Sequence, residues 1–151
     1  METLEAVTDI ILETLLTSVR QVIPVPAAAQ IPEVFQNSVA QSDIGVLVGF
    51  TGDLYGRIVI QGPSEVFGKI GETMFGMPLE GEMLHSFVGE LANMVAGNTS
   101  TLMSSKGQTI DITPPTVMVG HLQLYGIEQG ISVTVHLENA GEINIILLTQ
   151  H

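Results

Sequence analysis

The chain has 151 residues, 45% hydrophobic and 13% charged, which is enough apolar material for a single domain, residues 1–151, with its own core. Sixteen acidic residues against four basic ones give a formal charge of -12, which argues against nucleic acid or an anionic membrane as partner, because phosphate contacts are made mostly by Lys and Arg. With no cysteine, disulfides, thiolate catalysis and Cys-ligated zinc are excluded together.

The opening METLEAVTDI is acidic and lacks a signal-peptide hydrophobic block, and no apolar run reaches the length of a membrane span, so a cytoplasmic location is expected. From Thr3 to about Arg20 the residues Leu4, Val7, Ile11, Leu15 and Val19 recur at helical spacing, which predicts an amphipathic helix. Acidic residues near its start and Arg20 near its end suit the helix dipole. Pro24, Pro26 and Pro32 then break the pattern, and VIPVPAAAQIPEVF has no assignable period, so it is expected to be a connecting segment. Ser42–Phe50 and Leu54–Gln61 are β-rich runs on either side of Thr51-Gly52-Asp53, which predicts a hairpin. Gly45, Gly49, Gly52 and Gly56 do not have the spacing of a dinucleotide fingerprint, and no Gly-Lys-Ser/Thr follows, so bulges and tight turns are expected there.

Ser64, just after Pro63, is the expected cap of a short helix carrying Val66, Phe67, Ile70 and Met74, closed by Gly76 and Pro78. A longer helix is expected from Met83 to Met103, ended by Lys106-Gly107, with Met83, Leu84, Phe87, Leu91, Met94, Val95 and Leu102 on its core face. The last third reads as strands at Thr116–Tyr125, Gly130–Leu137 and Glu142–Thr149, with turns at Gly126–Gly130 and Asn139–Gly141. Helix, hairpin, two helices and three strands make an α/β domain of the α+β two-layer sandwich type, with long helices and an antiparallel-rich sheet.

The long helix also carries a second stripe. Ser86, Glu90, Asn93, Gly97 and Ser100 are separated by alternating steps of four and three, which places them within an arc of roughly 80°. An ordinary exposed helix face is filled with good helix formers, whereas this one has a carboxylate, an amide, two hydroxyls and a glycine, with Gly89 beside them. Such a face allows another surface to come close. A carboxamide is neither nucleophile nor base, and a lone exposed carboxylate is a poor base at neutral pH, so the stripe must complete a site on another molecule. Phosphoryl transfer suits it, because that chemistry depends mainly on positioning and charge stabilisation, and a carboxamide can orient an attacking water.

Ser86-x-x-x-Glu90-x-x-Asn93, followed about twenty-two residues later by a proline, resembles the signature of the CheC/CheX family. Pro115 lies one residue nearer than that spacing, so both Pro114 and Pro115 remain candidates for the signature proline. The signature occurs once, which makes the resemblance closer to CheX than to CheC-type members with two copies. The resemblance implies a phosphatase for a phosphorylated CheY-like response regulator. On it, Asn93 holds the water in line with the aspartyl phosphate and Glu90 docks on a regulator lysine. Ser86, Gly89, Gly97 and Ser100 form the surrounding partner-binding surface. It implies no cofactor of the chain's own, since the magnesium belongs to the regulator.

Other readings are weaker or less chemical. Ser86 as a nucleophile would need a base, and neighbouring His85 points roughly 100° away on a helix. His85, His121, His136 and His151 have no metal-ligand spacing, so no metal site is expected. Met74, Met77, Met83, Met94 and Met103 read as adaptable core. The alternative function is a non-catalytic regulator-binding, flagellar-switch or scaffold domain of the same fold, which fold likeness alone does not separate from an enzyme. Finally, Gly130–Leu137 and Glu142–Thr149 are apolar and nearly free of the Lys and Pro that protect edges, which predicts a homodimer joined edge to edge through these strands.

Overall fold

A computed structural model describes residues 4–34, 43–120 and 130–149, the side chains of the first helical turn excepted. In chain order the elements are α1 (Leu4–Val22), β1 (Ala27–Ala29), β2 (Glu33–Val34), β3 (Ile44–Gly52), β4 (Gly56–Gly62), α2 (Ser64–Phe75), α3 (Gly81–Ser105), β5 (Ile110–Ile112), β6 (Thr116–Val119), β7 (Gly130–Leu137) and β8 (Gly141–Thr149). The strands form one antiparallel sheet in the order β1-β7-β8-β4-β3-β5, with β2 also on β7 and β6 also on β3. This is the α/β architecture expected from the order of patterns.

The helices share one core with one face of the sheet. Ile11, Leu15 and Val19 of α1, Phe67 and Ile70 of α2, and Leu91 and Val95 of α3 are buried with Ile58 of β4 and Ile143 and Ile145 of β8. On the other face Val59, Ile146 and Leu148 form a smaller buried cluster with Leu47 packed against it. Burial on both faces explains why β8 reads as the continuous apolar run Ile145–Leu148 rather than as an alternation.

The segment expected to be a connection without assignable period contains β1 and β2. Three alanines and a two-residue strand carry no side-chain period. They are strands because β7 offers them a backbone ladder: Ala27 pairs with Leu137, Gln30 N–H donates to Thr134 at 2.8 Å, and Glu33 pairs with Ser132. Pro24, Pro26 and Pro32 flank these pieces, as an edge position allows.

This pairing also overturns the expected route to a dimer. β8 lies between β7 and β4, and β7 lies between β8 and the β1–β2 pair, so neither C-terminal strand has a free edge. Their lack of edge protection reflects an interior position. Among the described residues the sheet ends instead in β1 and β2 on one side and β5 and β6 on the other.

The start of α2 differs from expectation in its cap. Pro63 occupies the cap position, Ser64 is the first helical residue, and the carboxylate of Asp43 accepts the Ser64 N–H at 3.1 Å. A partner distant in sequence supplies what a local serine was expected to supply. Gly76 closes α2 in the left-handed region at φ 72°, with its N–H on Glu72 O. Of the expected strand Thr116–Tyr125, Thr116–Val119 is present as β6, which stops at Gly120 with φ 110°. Residues 121–125, the turn before Gly130 and His151 lie outside the described residues.

Candidate functional site

α3 is 25 residues long and is held at several points before any partner is considered. Leu84, Phe87, Leu91, Val95 and Met103 anchor it in the core. On α1 the Asn98 amide donates to Ser18 Oγ at 3.3 Å and to Gln21 Oε1 at 2.7 Å, and Lys106 Nζ donates to Thr14 Oγ1 at 2.7 Å. The helix ends in a Schellman arrangement: Gln108 N–H donates to Met103 O, Gly107 N–H donates to Ser104 O, and Gly107 has φ 83°. A residue in the middle of α3 therefore sits on a rigid support.

Met83 and Met94, expected in the core, are 61% and 42% exposed. On a helical wheel they fall roughly 130–150° from the centre of the buried arc, on the border of the Ser86–Ser100 stripe. Met77 is likewise 54% exposed, so only part of the methionine set is core.

The stripe has two halves. Ser86 and Glu90 are exposed, and Asn93 is half-buried. Further along, and at Gly89 beside Glu90, the chain itself covers the helix. Ser100 Oγ donates to Ile110 O at 2.7 Å, a Cβ on Gly97 would stand 3.9 Å from Ile112 Cδ1, and a Cβ on Gly89 would stand 2.9 Å from Val117 Cγ2. The β5–β6 segment thus runs antiparallel to α3, with Pro114 and Pro115 in the stretch between the Ile112 and Val117 contacts. Gly89 is buried and makes room for this chain's own Val117. Gly97 and Ser100 are half-buried against β5.

The path of that segment is set on its other side by β3. β5 pairs with Phe50–Gly52 and β6 with Ile44–Leu47, and in the gap Thr113 N–H donates to Gly49 O at 2.8 Å while Gly49 N–H donates to Thr113 Oγ1 at 2.9 Å. A Cβ on Gly49 would press on Thr113 Oγ1 at 3.2 Å, so glycine permits this approach. Pro114 and Pro115 have no N–H to offer a ladder, which keeps the arch out of regular pairing.

The amide of Asn93 differs from those of Asn98 and Asn144. Asn98 is committed to Ser18 and Gln21, and Asn144 accepts from Thr134 at 2.9 Å. Asn93 has no hydrogen-bond partner among the described residues, although it is half-buried on a fixed helix. Glu90, one turn before it, has no ion-pair partner among the described residues either, the basic Lys69 being engaged with Glu65 at 3.5 Å. A carboxamide and a carboxylate held side by side without internal partners can donate to, accept from and orient groups brought by another molecule. Ser86 and Glu90 also form one side of a groove of about 670 Å³ between the α2–α3 connection and the first half of α3. Sequence reasoning missed this groove, because its floor uses methionines that read as core. Among the described residues no group of three or more His, Asp or Glu side chains could hold a metal ion, and no helix is long and apolar enough to cross a membrane.

The two glycines separate in an expected result. Gly97→Ala is expected to raise stability by about 0.5–1 kcal/mol through helix propensity, because its Cβ meets only an ordinary contact. In Gly89→Ala the Val117 methyl must move aside, which offsets that gain. Urea unfolding of both variants checks the difference, and an equal gain at both positions would contradict the packing described.

The family described as chemotaxis phosphatase CheX matches residues 44–136. A curated relative, the CheY-P phosphatase CheX of Thermotoga maritima, is 29% identical over 106 residues, covering 66% of this chain and 68% of that protein. Among solved structures, a CheC-like superfamily protein from Shewanella sp. PV-4 superposes with a TM-score of 0.80 at 24% identity, over 95% of this chain and 97% of that one. The CheX–CheY–BeF3–Mg2+ complex from Borrelia burgdorferi matches with a TM-score of 0.77 at 21% identity, over 95% and 97% of the two chains. The last two show a shared fold.

Proposed function

Because the chain belongs to the CheX family, we propose that it accelerates hydrolysis of the aspartyl phosphate on a CheY-like response regulator. The observation that carries this reading is the half-buried amide of Asn93, without a partner among the described residues, one helical turn from exposed Glu90 on a helix fixed at both flanks. Asn93 enters the regulator's acidic pocket and orients water in line with the phosphorus. The water oxygen bonds to phosphorus, the bond to the aspartyl oxygen breaks, and the carboxylate leaves with its electron pair. The water's protons pass to product phosphate and solvent. Glu90 fixes the register of the complex through a charge-assisted contact with a regulator lysine. The divalent cation that neutralises the phosphoryl oxygens belongs to the regulator.

In this reaction the phosphoryl group goes to water and never to this chain. With regulator labelled on phosphorus, all label should appear as free phosphate and none on the protein. Label retained on this chain, for example on Ser86, would replace the water-orienting role with a covalent one.

A further inference from the structure

The groove beside Ser86 and Glu90 is a surface that hydrolysis itself does not need. Its floor and walls are Phe75, Met77, Leu79, Met83 and Phe87, and carboxylates Glu82 and Glu90 stand on its rim. Phe75, Met77 and Met83 are 58%, 54% and 61% exposed, a costly arrangement for three large apolar side chains in one place unless something covers them. Two close packings fix the floor. Phe75 stands edge-on to Phe87 with ring centroids 5.7 Å apart at 84°, and the bare Cα of Gly71 lets Leu79 pack where a Cβ would be 2.7 Å from its Cδ1.

Charge decides which occupant fits. Among the described residues no basic side chain lines the groove: Lys69 pairs with Glu65, and Lys106 is bound to Thr14 at the far end of α3. An anionic lipid surface would meet only carboxylates there. A second copy of the chain, itself at -12, would bring further negative charge against Glu82 and Glu90. The rim calls for cations around an apolar centre, and the same side of the groove carries the carboxylate that faces a regulator lysine in the function proposed above.

We propose that the groove is the selectivity half of the regulator-binding surface, taking an aliphatic or aromatic side-chain cluster flanked by Lys or Arg on the same regulator that Glu90 contacts. This rests on the reading of Glu90 and Asn93 as the phosphatase pair. The division of labour follows from position: Asn93 lies outside the groove and acts on the phosphoryl group, while the methionines, with flexible and polarisable side chains, grip a neighbouring ridge. Groove contacts are made equally in the bound ground state and in the transition state, so they set KM and leave kcat alone.

Met77→Glu and Met83→Glu test this, measured by steady-state dephosphorylation of a purified phosphorylated CheY-like regulator. Each should raise KM by about tenfold or more with kcat within about twofold, and Met83→Leu should restore the wild-type KM. Both side chains are more than half exposed, so thermal midpoints should stay near wild type. An active wild-type protein whose glutamate variants keep the normal KM would overturn the groove assignment alone. An inactive wild-type protein would overturn the functional reading instead. Loss of self-association in sedimentation of Met83→Glu, with KM unchanged, would assign the groove to a second copy and likewise overturn the proposal.

Discussion

Asn93→Ala is expected to lower kcat for regulator dephosphorylation by about two orders of magnitude, with KM changed by no more than about threefold. The size is that usually found when one preorganised polar group aimed at the reacting atoms is removed. The pattern follows from where the group acts: a water held in line matters most as the bond to phosphorus forms, and little while the regulator merely sits on the helix. The fold has no use for the amide, since Asn93 has no partner among the described residues, so the variant should unfold at the wild-type temperature. Asn98→Ala provides the contrast. Losing its bonds to Ser18 and Gln21 should reduce stability, because those contacts fasten α3 to α1. Full activity in Asn93→Ala would remove the residue from the mechanism.

Reversing the charge at Glu90 should produce the complementary pattern. Glu90→Lys is expected to raise KM by about a hundredfold, because it removes a charge-assisted contact and sets a cation against the regulator's lysine. Glu90→Gln, which keeps shape and one acceptor, should raise KM by about tenfold. Glu90 is exposed and unpaired among the described residues, so neither change should lower the thermal midpoint. The wild-type KM should also rise with salt, and that dependence should weaken in Glu90→Gln. Binding to a regulator held in its phosphorylated form by beryllofluoride gives the same comparison without turnover. Glu90→Lys with a normal KM would mean that the carboxylate does not dock the helix.

Much of this architecture is legible in the sequence because it depends on local patterns. The amphipathic periods of α1 and α3, the β3–β4 hairpin and the glycine stops after α2 and α3 all arise from residues near one another in sequence. What was not readable depends on partners distant in sequence. β1 and β2 are strands only because β7 lies alongside, and Asp43 caps α2 from the far end of the hairpin. The apolar run of β8 looked like an unguarded edge, yet it is a central strand buried on both faces.

The site shows the same division. The spacing of Ser86, Glu90 and Asn93 fixed their common face. It could not reveal that Val117 fills the space at Gly89, or that Ser100 is tied to the Ile110 carbonyl. Both depend on the path of the β5–β6 arch, which the Thr113–Gly49 hydrogen bonds set from the opposite side. Met83 and Met94 were misplaced for a different reason: a wheel angle on the boundary of the apolar arc does not say whether a neighbouring element covers it.

The account can be tested in one assay: phosphate release from a phosphorylated CheY-like regulator, in magnesium, with this protein at about one hundredth of the regulator concentration. It predicts that release accelerates and continues through many turnovers, so that the chain acts as a catalyst. A phosphoryl lifetime that is unchanged, while the protein demonstrably binds the regulator, would contradict it and leave a binding module in place of an enzyme.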